Sequence, residues 1–288
     1  GQYAFKVIFE CGGFPSMELR YTHPHLENDR RFFAKLRRQE IFCLMNADAV
    51  VVSSEVTREY IGSLGASASR AHVIPALVDL GLLGKTPPPP EGEALKLVYL
   101  GGDAPWQGVG TLMFALKTAA EQCAVSATVV GPTIGTSNER RRLTEMAKKL
   151  QGKVAVDLVG PVKREELPSI LAGAHLGVAP LENSPRNLEQ GASPAKIAEY
   201  CAAGRPVLAS DLPLVREMID PGEQGLLFAP GDAADLAARI VELAKDPARR
   251  KQMEAKAFAR ARERFDADRA RRALIGIYRD LTDPSVIV

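Results

Sequence analysis

The side chains best placed to do chemistry lie in one run, Arg186 to Ser210, which reads RNLEQGASPAKIAEYCAAGRPVLAS. Ser193-Pro194 signals a helix start, because a serine oxygen can cap free amide groups and proline suits the first turn. The helix then carries Lys196 and Glu199 and stops at Gly204, before the apolar strand PVLAS. Unpaired N–H groups and the helix dipole favour an anion at such a start, and Lys196 in the first turn adds a full cation. Glu199, three residues on, lies on the same face one turn deeper. It is placed to accept hydrogen bonds from a sugar hydroxyl attached to a phosphate held at the mouth. The same residues also fit a capped surface helix with a solvated Lys and Glu, and physics alone leaves the two readings open.

Other chemistries find little footing. No Ser-His-Asp or Cys-His spacing, HExxH helix or metal cluster is present, so triad and zinc hydrolysis lack support and no metal is expected. The histidines His23, His25, His72 and His175 show no catalytic spacing. Cys11, Cys43, Cys123 and Cys201 have no short metal-like spacing and read as reduced core residues. The 37 basic and 35 acidic side chains leave a net charge of +2, too little to argue for nucleic acid as a partner. Basic clusters at Arg30 to Arg38, Arg140 to Arg142 and Arg269 to Arg272 read as solvated helix faces, although the first could touch an anionic lipid surface. No run is long enough to span a bilayer and no secretory signal is visible. The expected localisation is therefore cytoplasmic, with membrane association limited to peripheral contact.

The segment resembles the donor-binding region of retaining glycosyltransferases of family 4, also called glycosyl transferases group 1, which share the two-domain GT-B fold. Glu199-Tyr200-Cys201-Ala202-Ala203-Gly204-Arg205-Pro206-Val207 resembles the family string of Glu, then Ala or Tyr, Met, Ala, any residue, Gly, any residue, Pro, Val, with Cys201 in place of the Met. The resemblance implies that Glu199 binds the nucleotide ribose. It also implies that Lys196 and the helix-start residues Ser193, Pro194 and Ala195 hold the diphosphate. Many members place a second Glu eight residues before the first, where this chain has Gly191; Glu189 or the Arg186-Asn187 pair could serve instead.

In the loop Gly101 to Gly108 the family often carries an Arg just after the strand and a Lys before the second Gly. Here those positions are Gly102 and Gln107, and a related subgroup resembles this chain in having Pro-Trp-Gln-Gly. Lys196, the helix amides and Arg186 are then left to carry the charge. Trp106, the only tryptophan, reads as a packing anchor ahead of a ligand contact. Gly160-Pro161-Val162 matches the loop that the family uses for the nucleobase, read through backbone groups near Val162. Gly131-Pro132 reads as a plain strand-to-helix turn.

These residues need a scaffold. At 288 residues, with 46% hydrophobic and 25% charged content, the chain can bury a sizeable core and fits two domains better than one. Strand-like runs recur at KLVYL, ATVV, VAVDL, LGVAP, PVLAS and GLLF, separated by helical patterns, which implies a parallel sheet covered on both faces. Ligands should gather at the carboxyl ends of its strands. The first part holds only three strand candidates, at residues 6–10, 49–53 and 72–74. Helices are expected from Asp29 to Met45, with an apolar stripe of Phe33, Leu36, Ile41 and Leu44, and after a Ser54 cap. In its first loop, which follows a strand end, Glu10 and Gly13 are the acceptor-side candidates.

The expected division is a partial N-terminal acceptor-side domain over 1–80, a proline-marked linker over 81–95 and a donor-binding domain over 96–265. A last helix over 266–288, carrying Leu274, Ile277, Tyr278 and Leu281, would return to the first domain. The chain opens on Gly and enters at once into a strand-like run, so an upstream segment is expected.

The fold class expected is thus α/β, of GT-B type, with two Rossmann-like domains. The resemblance implies transfer of a sugar from a nucleoside-diphosphate sugar to a glycan, lipid or small-molecule acceptor, with retention and without metal or cofactor. Lys196 would be the main electrostatic contributor and Glu199 the main positioning one. Nucleotide-sugar binding without turnover and nucleotide-sugar 2-epimerisation are the alternatives.

Overall fold

The computed structural model describes residues 5–89, 92, 94–131 and 137–282. Pro90, Pro132 and the tail beyond Thr282 lie outside the described residues, as do the side chains of residues 137–140.

Three short strands, β1 (Ile8–Cys11), β2 (Ala49–Val52) and β3 (Ala71–Val73), form the first sheet, all parallel in the order β1-β2-β3. Around it lie α1 (Pro15–Thr22), α2 (Arg30–Asn46), α3 (Glu55–Ser63) and a single turn, α4 (Leu80–Leu83). Asp29 caps α2 by accepting from the Phe32 amide, and Ser54 caps α3 by accepting from the Thr57 amide. Of the apolar stripe on α2, Phe33 and Leu44 are buried, whereas Leu36 and Ile41 are only half-buried. Cys43 on the same helix is exposed and Cys123 half-buried, so of the four cysteines expected in the core only Cys11 and Cys201 are buried.

The second sheet contains β4 (Leu95–Leu100), β5 (Val125–Val130), β6 (Ala155–Val159), β7 (Leu176–Ala179), β8 (Val207–Ser210) and β9 (Gly225–Phe228). All pairs are parallel, in the order β6-β5-β4-β7-β8-β9. The helices that cross between them are α5 (Val109–Ala119), α6 (Ser137–Leu150), α7 (Leu167–Ala172), α8 (Ala195–Ala202), α9 (Pro213–Arg216), α10 (Ala233–Ala244) and α11 (Pro247–Arg264). Strands such as β7 and β8 are buried at every position, as a sheet covered on both faces requires. One face packs Leu97, Leu112, Leu116 and Ile240. The other packs Val98, Leu100, Ile197, Tyr200 and Phe265.

The two sheets are joined by more than a loop. Val78 donates to the Phe265 carbonyl at 2.8 Å, and Ala267 donates back to Val78 at 3.2 Å. The last helix, α12 (Ala267–Thr282), lays Ile277 on Ala49 and Val51 of the first sheet, with Leu274 and Leu281 half-buried beside them. Tyr278 is exposed, because it falls on the outer side of that helix. The proline-rich segment is also held: α4 buries Leu83, and the Arg205 guanidinium donates to the Pro87 carbonyl.

Candidate functional site

The strand order reverses about β4, whose neighbours β5 and β7 send their following chain to opposite faces. Such a reversal opens a crevice at the carboxyl ends of the strands. Ladder pairing between β4 and β7 stops at Leu97↔Leu176 and Val98↔Gly177. Beyond it the buried Tyr200 hydroxyl stands between the strands, accepting from the Leu100 amide at 2.8 Å and donating to the Val178 carbonyl at 3.2 Å. The ring of Tyr200 lies flush on Gly177, where a Cβ would come within 2.1 Å of it.

Helix α8 points its start at this crevice. Its N-cap is Pro194, with φ −62° and ψ 103°, and no side chain caps the first turn. The expected Ser193 cap does not form. Its hydroxyl instead accepts from the Ala76 amide at 2.9 Å, tying the interlobe segment to the helix mouth. Ala195 is exposed and Pro194 half-buried, so the mouth is open to solvent.

Lys196 is buried rather than solvated. Its Nζ donates to Gln107 Oε1 at 2.7 Å and lies 4.0 Å from the centroid of the Tyr99 ring. Burial pushes the ammonium down to about 7, with Arg186 adding to the shift and Glu199 opposing it. The cation expected from sequence is thus held in a place that disfavours its charge. Burial also raises the Glu199 carboxyl, against the attraction of Lys196 and Arg164. Arg164, on the turn after β6, was not singled out in the sequence; its place near the Gly-Pro-Val loop was the available signal.

The loop after β4 is shaped by its glycines. Gly101 has φ +134° and sits against Lys196, where a Cβ would lie 2.9 Å from Nζ. Gly102 accepts a 2.6 Å hydrogen bond from the Tyr99 hydroxyl through its carbonyl. At Gly108, with φ +69°, a Cβ would fall 1.6 Å from the Pro180 carbonyl oxygen, so no other residue fits.

The expected donor-side residues of the following loop are partly engaged elsewhere. Asn187 is fully buried, and its amide donates to the Trp106 and Glu182 carbonyls at 2.9 and 2.8 Å. It holds two loops together instead of facing the crevice. Arg186 reaches across the lobes to Glu18 on α1 at 3.2 Å. Its guanidinium also lies 5.3 Å from the Trp106 ring, whose other contact is the edge of Tyr21 at 5.7 Å. Trp106 is buried between the lobes as an anchor. Glu189 is exposed and lines a separate cavity against α1 and α2. Val162 is half-buried against the apolar cluster under β4.

The two acceptor-side candidates part company. Gly13 adjoins the Glu18 carboxylate, where a Cβ would lie 3.0 Å from Oε1. Glu10 instead lines a cavity of about 500 Å³ between the first sheet and α12, together with Ser53, Ala76 and Arg271. A further contact was not legible beforehand: Glu217 accepts from the Glu55 and Val56 amides at 2.8 and 3.0 Å, answering the start of α3 from the other lobe. Among the described residues no group of three or more His, Cys, Asp or Glu could hold a metal ion. No helix among them is long and apolar enough to cross a membrane.

Residues 86–260 match the family described as glycosyl transferases group 1. The chain belongs to that family. It is 24% identical over 225 residues to the putative teichuronic acid biosynthesis glycosyltransferase TuaH of Bacillus subtilis, covering 75% of this chain and 53% of that one. It is 28% identical over 236 residues to the D-inositol 3-phosphate glycosyltransferase of Thermomonospora curvata, with the same coverage of 75% and 53%. The chain thus spans about half the length of these curated relatives.

Among solved structures, the sucrose-phosphate synthase of Thermosynechococcus elongatus superposes with a TM-score of 0.79 at 23% identity, covering 97% of this chain and 69% of that one. The Anabaena protein Alr3699/HepE, in complex with UDP and glucose, superposes with a TM-score of 0.74 at 19% identity, over 95% and 71%. The fold is α/β of the GT-B type.

Within this group 1 chain, the place where many family members carry a second Glu is closed. Gly191 has φ +70°, and a Cβ there would meet Ser54 Oγ and Val56 Cβ at 2.9 Å. Interlobe packing, not a ligand, occupies that side of the loop.

Proposed function

We propose that the chain forms the donor-binding lobe and part of the acceptor-facing lobe of a retaining glycosyltransferase. The reaction moves a sugar from a nucleoside-diphosphate sugar to a glycan, lipid or small-molecule acceptor. The observation that carries this reading is the uncapped start of α8, which opens at the strand reversal with Lys196 and Glu199 beside it.

The diphosphate lies against the α8 amides, and its charge draws Lys196 back to the ammonium form. Glu199 accepts from the ribose hydroxyls. As the bond from the anomeric carbon to the diphosphate oxygen breaks, the acceptor oxygen bonds to that carbon on the same face. The acceptor proton passes to the departing diphosphate. Negative charge grows on the diphosphate during this step, so donors fixed in advance around it lower the barrier. The UDP and glucose held by the Anabaena neighbour support this donor class.

Binding without turnover is favoured by a separate observation: Arg186 and Gly191 are committed to contacts between the lobes. Incubation with labelled UDP- and GDP-sugars and a lipid or glycan extract separates the readings. Transfer of label to an acceptor supports the glycosyltransferase. Donor binding without product supports the binding module, and recovery of an epimerised donor supports the epimerase.

A further inference from the structure

The run Arg30 to Arg38 reads as a solvated helix face, yet two of its arginines turn toward a cavity. A hollow of about 530 Å³ lies between α1, α2 and α3 and is closed on the far side by Pro185 and Glu189 of the second lobe. Arg20, Arg30 and Arg37 all line it, over a floor that includes Phe33 and Tyr60. Two of the guanidiniums contact that floor. Arg20 lies 4.4 Å from the Phe33 ring centroid and donates through Nε to the Ser16 carbonyl at 3.2 Å. Arg37 lies 5.3 Å from the Tyr60 centroid and donates to the Tyr60 hydroxyl. Among the described residues none of the three arginines is in an ion pair, in contrast with Arg186, Arg216, Arg239 and Arg260.

The neighbouring carboxylates offset this charge only in part, and Glu40 does not line the cavity. Glu40 spends both oxygens on Ser16, accepting from its amide at 2.7 Å and its hydroxyl at 2.6 Å. Glu189 is the one carboxylate lining the cavity, so three positive groups face one negative. A carboxylate ligand is matched by a single bidentate arginine. A phosphate monoester carries about 1.5 to 2 negative charges at neutral pH and three acceptor oxygens, which suits the surplus and the number of donors. The cavity also adjoins the donor crevice: Tyr21, in its wall, touches Trp106, and the next residue, Gln107, holds Lys196.

We infer that this cavity binds the phosphate monoester of a phosphorylated acceptor. The role as acceptor rests on the glycosyltransferase reading; the phosphate site itself does not. Calorimetry with glucose 6-phosphate, glucose and inorganic phosphate tests it, with UDP binding measured in parallel. Glucose 6-phosphate is expected to bind roughly tenfold or more tightly than glucose, as a charge-assisted hydrogen bond requires. UDP is expected not to displace it. Among the described residues the Arg30 side chain makes no hydrogen bond, so Arg30→Gln is expected to weaken glucose 6-phosphate several-fold and leave UDP affinity unchanged. The combined Arg20→Gln, Arg37→Gln chain should abolish the preference for the phosphorylated sugar.

Co-sedimentation with phosphatidic acid in phosphatidylcholine vesicles, against phosphatidylcholine alone, tells whether a lipid or a soluble molecule carries the phosphate. Equal affinity for glucose and its phosphate together with no preference for phosphatidic acid overturns the site. So does displacement by UDP, or binding that survives all three arginine substitutions. Loss of UDP binding with glucose 6-phosphate retained removes the glycosyltransferase reading and keeps the phosphate site.

Discussion

Lys196 Nζ and Gln107 Oε1 are 2.7 Å apart, in a chain whose family often carries a lysine at the position of Gln107. Here a neutral amide accepts from the buried amine, whereas a second ammonium would oppose it. The pair joins the loop after β4 to the first turn of α8, so the two walls of the crevice are linked by this hydrogen bond.

Removing the acceptor tests that join. Gln107→Leu leaves the amine without its partner in a buried place, and the expected cost is about 1–3 kcal/mol of stability. Urea unfolding followed by circular dichroism measures it, and an unchanged midpoint would show that the pair carries no stabilisation.

Lys196→Ala is expected to weaken donor binding several-fold to a few-hundred-fold, the equivalent of roughly 1–3 kcal/mol for a charged hydrogen bond. Titration calorimetry with UDP or GDP reads this directly. Unchanged affinity would place the diphosphate elsewhere.

Affinity should also depend on pH. In the free protein burial holds Lys196 at about 7. A bound diphosphate favours the ammonium and raises that value, so above pH 7 the complex holds a proton that the free protein has lost. Binding therefore takes up a proton, and affinity falls as pH rises, by up to about tenfold per unit. Calorimetry at pH 8 in two buffers of different ionisation enthalpy is expected to reveal the uptake, and Lys196→Met to remove it. Stability of the free chain moves the other way. Between about 7 and the ordinary 10.5 the unfolded chain holds the proton more tightly, so this group's contribution to stability rises with pH across that window.

Gly191→Ala introduces a Cβ at φ +70° and 2.9 Å from Val56. The expected loss is about 1–3 kcal/mol, from backbone strain and overpacking together. Thermal unfolding should show it, and a melting temperature equal to that of the parent would mean that the lobes separate freely at this point.

Glu217→Gln keeps the shape of the side chain but removes the charge at the start of α3. A loss of about 1 kcal/mol is expected from the weakened cap and dipole interaction. Amide hydrogen exchange at Glu55 and Val56, which donate to Glu217, should quicken. Protection equal to that of the parent would count against the contact.

Much of the fold was legible because parallel strands covered on both faces leave apolar runs. β4, β7 and β8 stand out in the sequence for that reason. The start of α8 was visible to within a residue through Ser193-Pro194. What the sequence hid depends on partners far along the chain. Ser193 is diverted from its cap by Ala76, 117 positions away. Lys196 is buried, with its amine on Gln107, 89 positions away, and over the Tyr99 ring, and that burial lowers its pKa. Asn187 looked like a ligand contact because it lies in a polar loop, but the carbonyls it serves belong to Trp106 and Glu182. Glu217 gave no signal at all, since its partners are backbone amides of the other lobe.

The Tyr200 hydroxyl, bonded at once to Leu100 and Val178, acts as a rivet through the floor of the crevice. It fastens the helix bearing Lys196 and Glu199 to both strands beneath. Helix and strands are thus joined through one buried side chain. The seam between the halves is closed by the apolar packing of Ile277 and Val56 together with the hydrogen bonds of Ala76 and Glu217 and the Arg186–Glu18 pair.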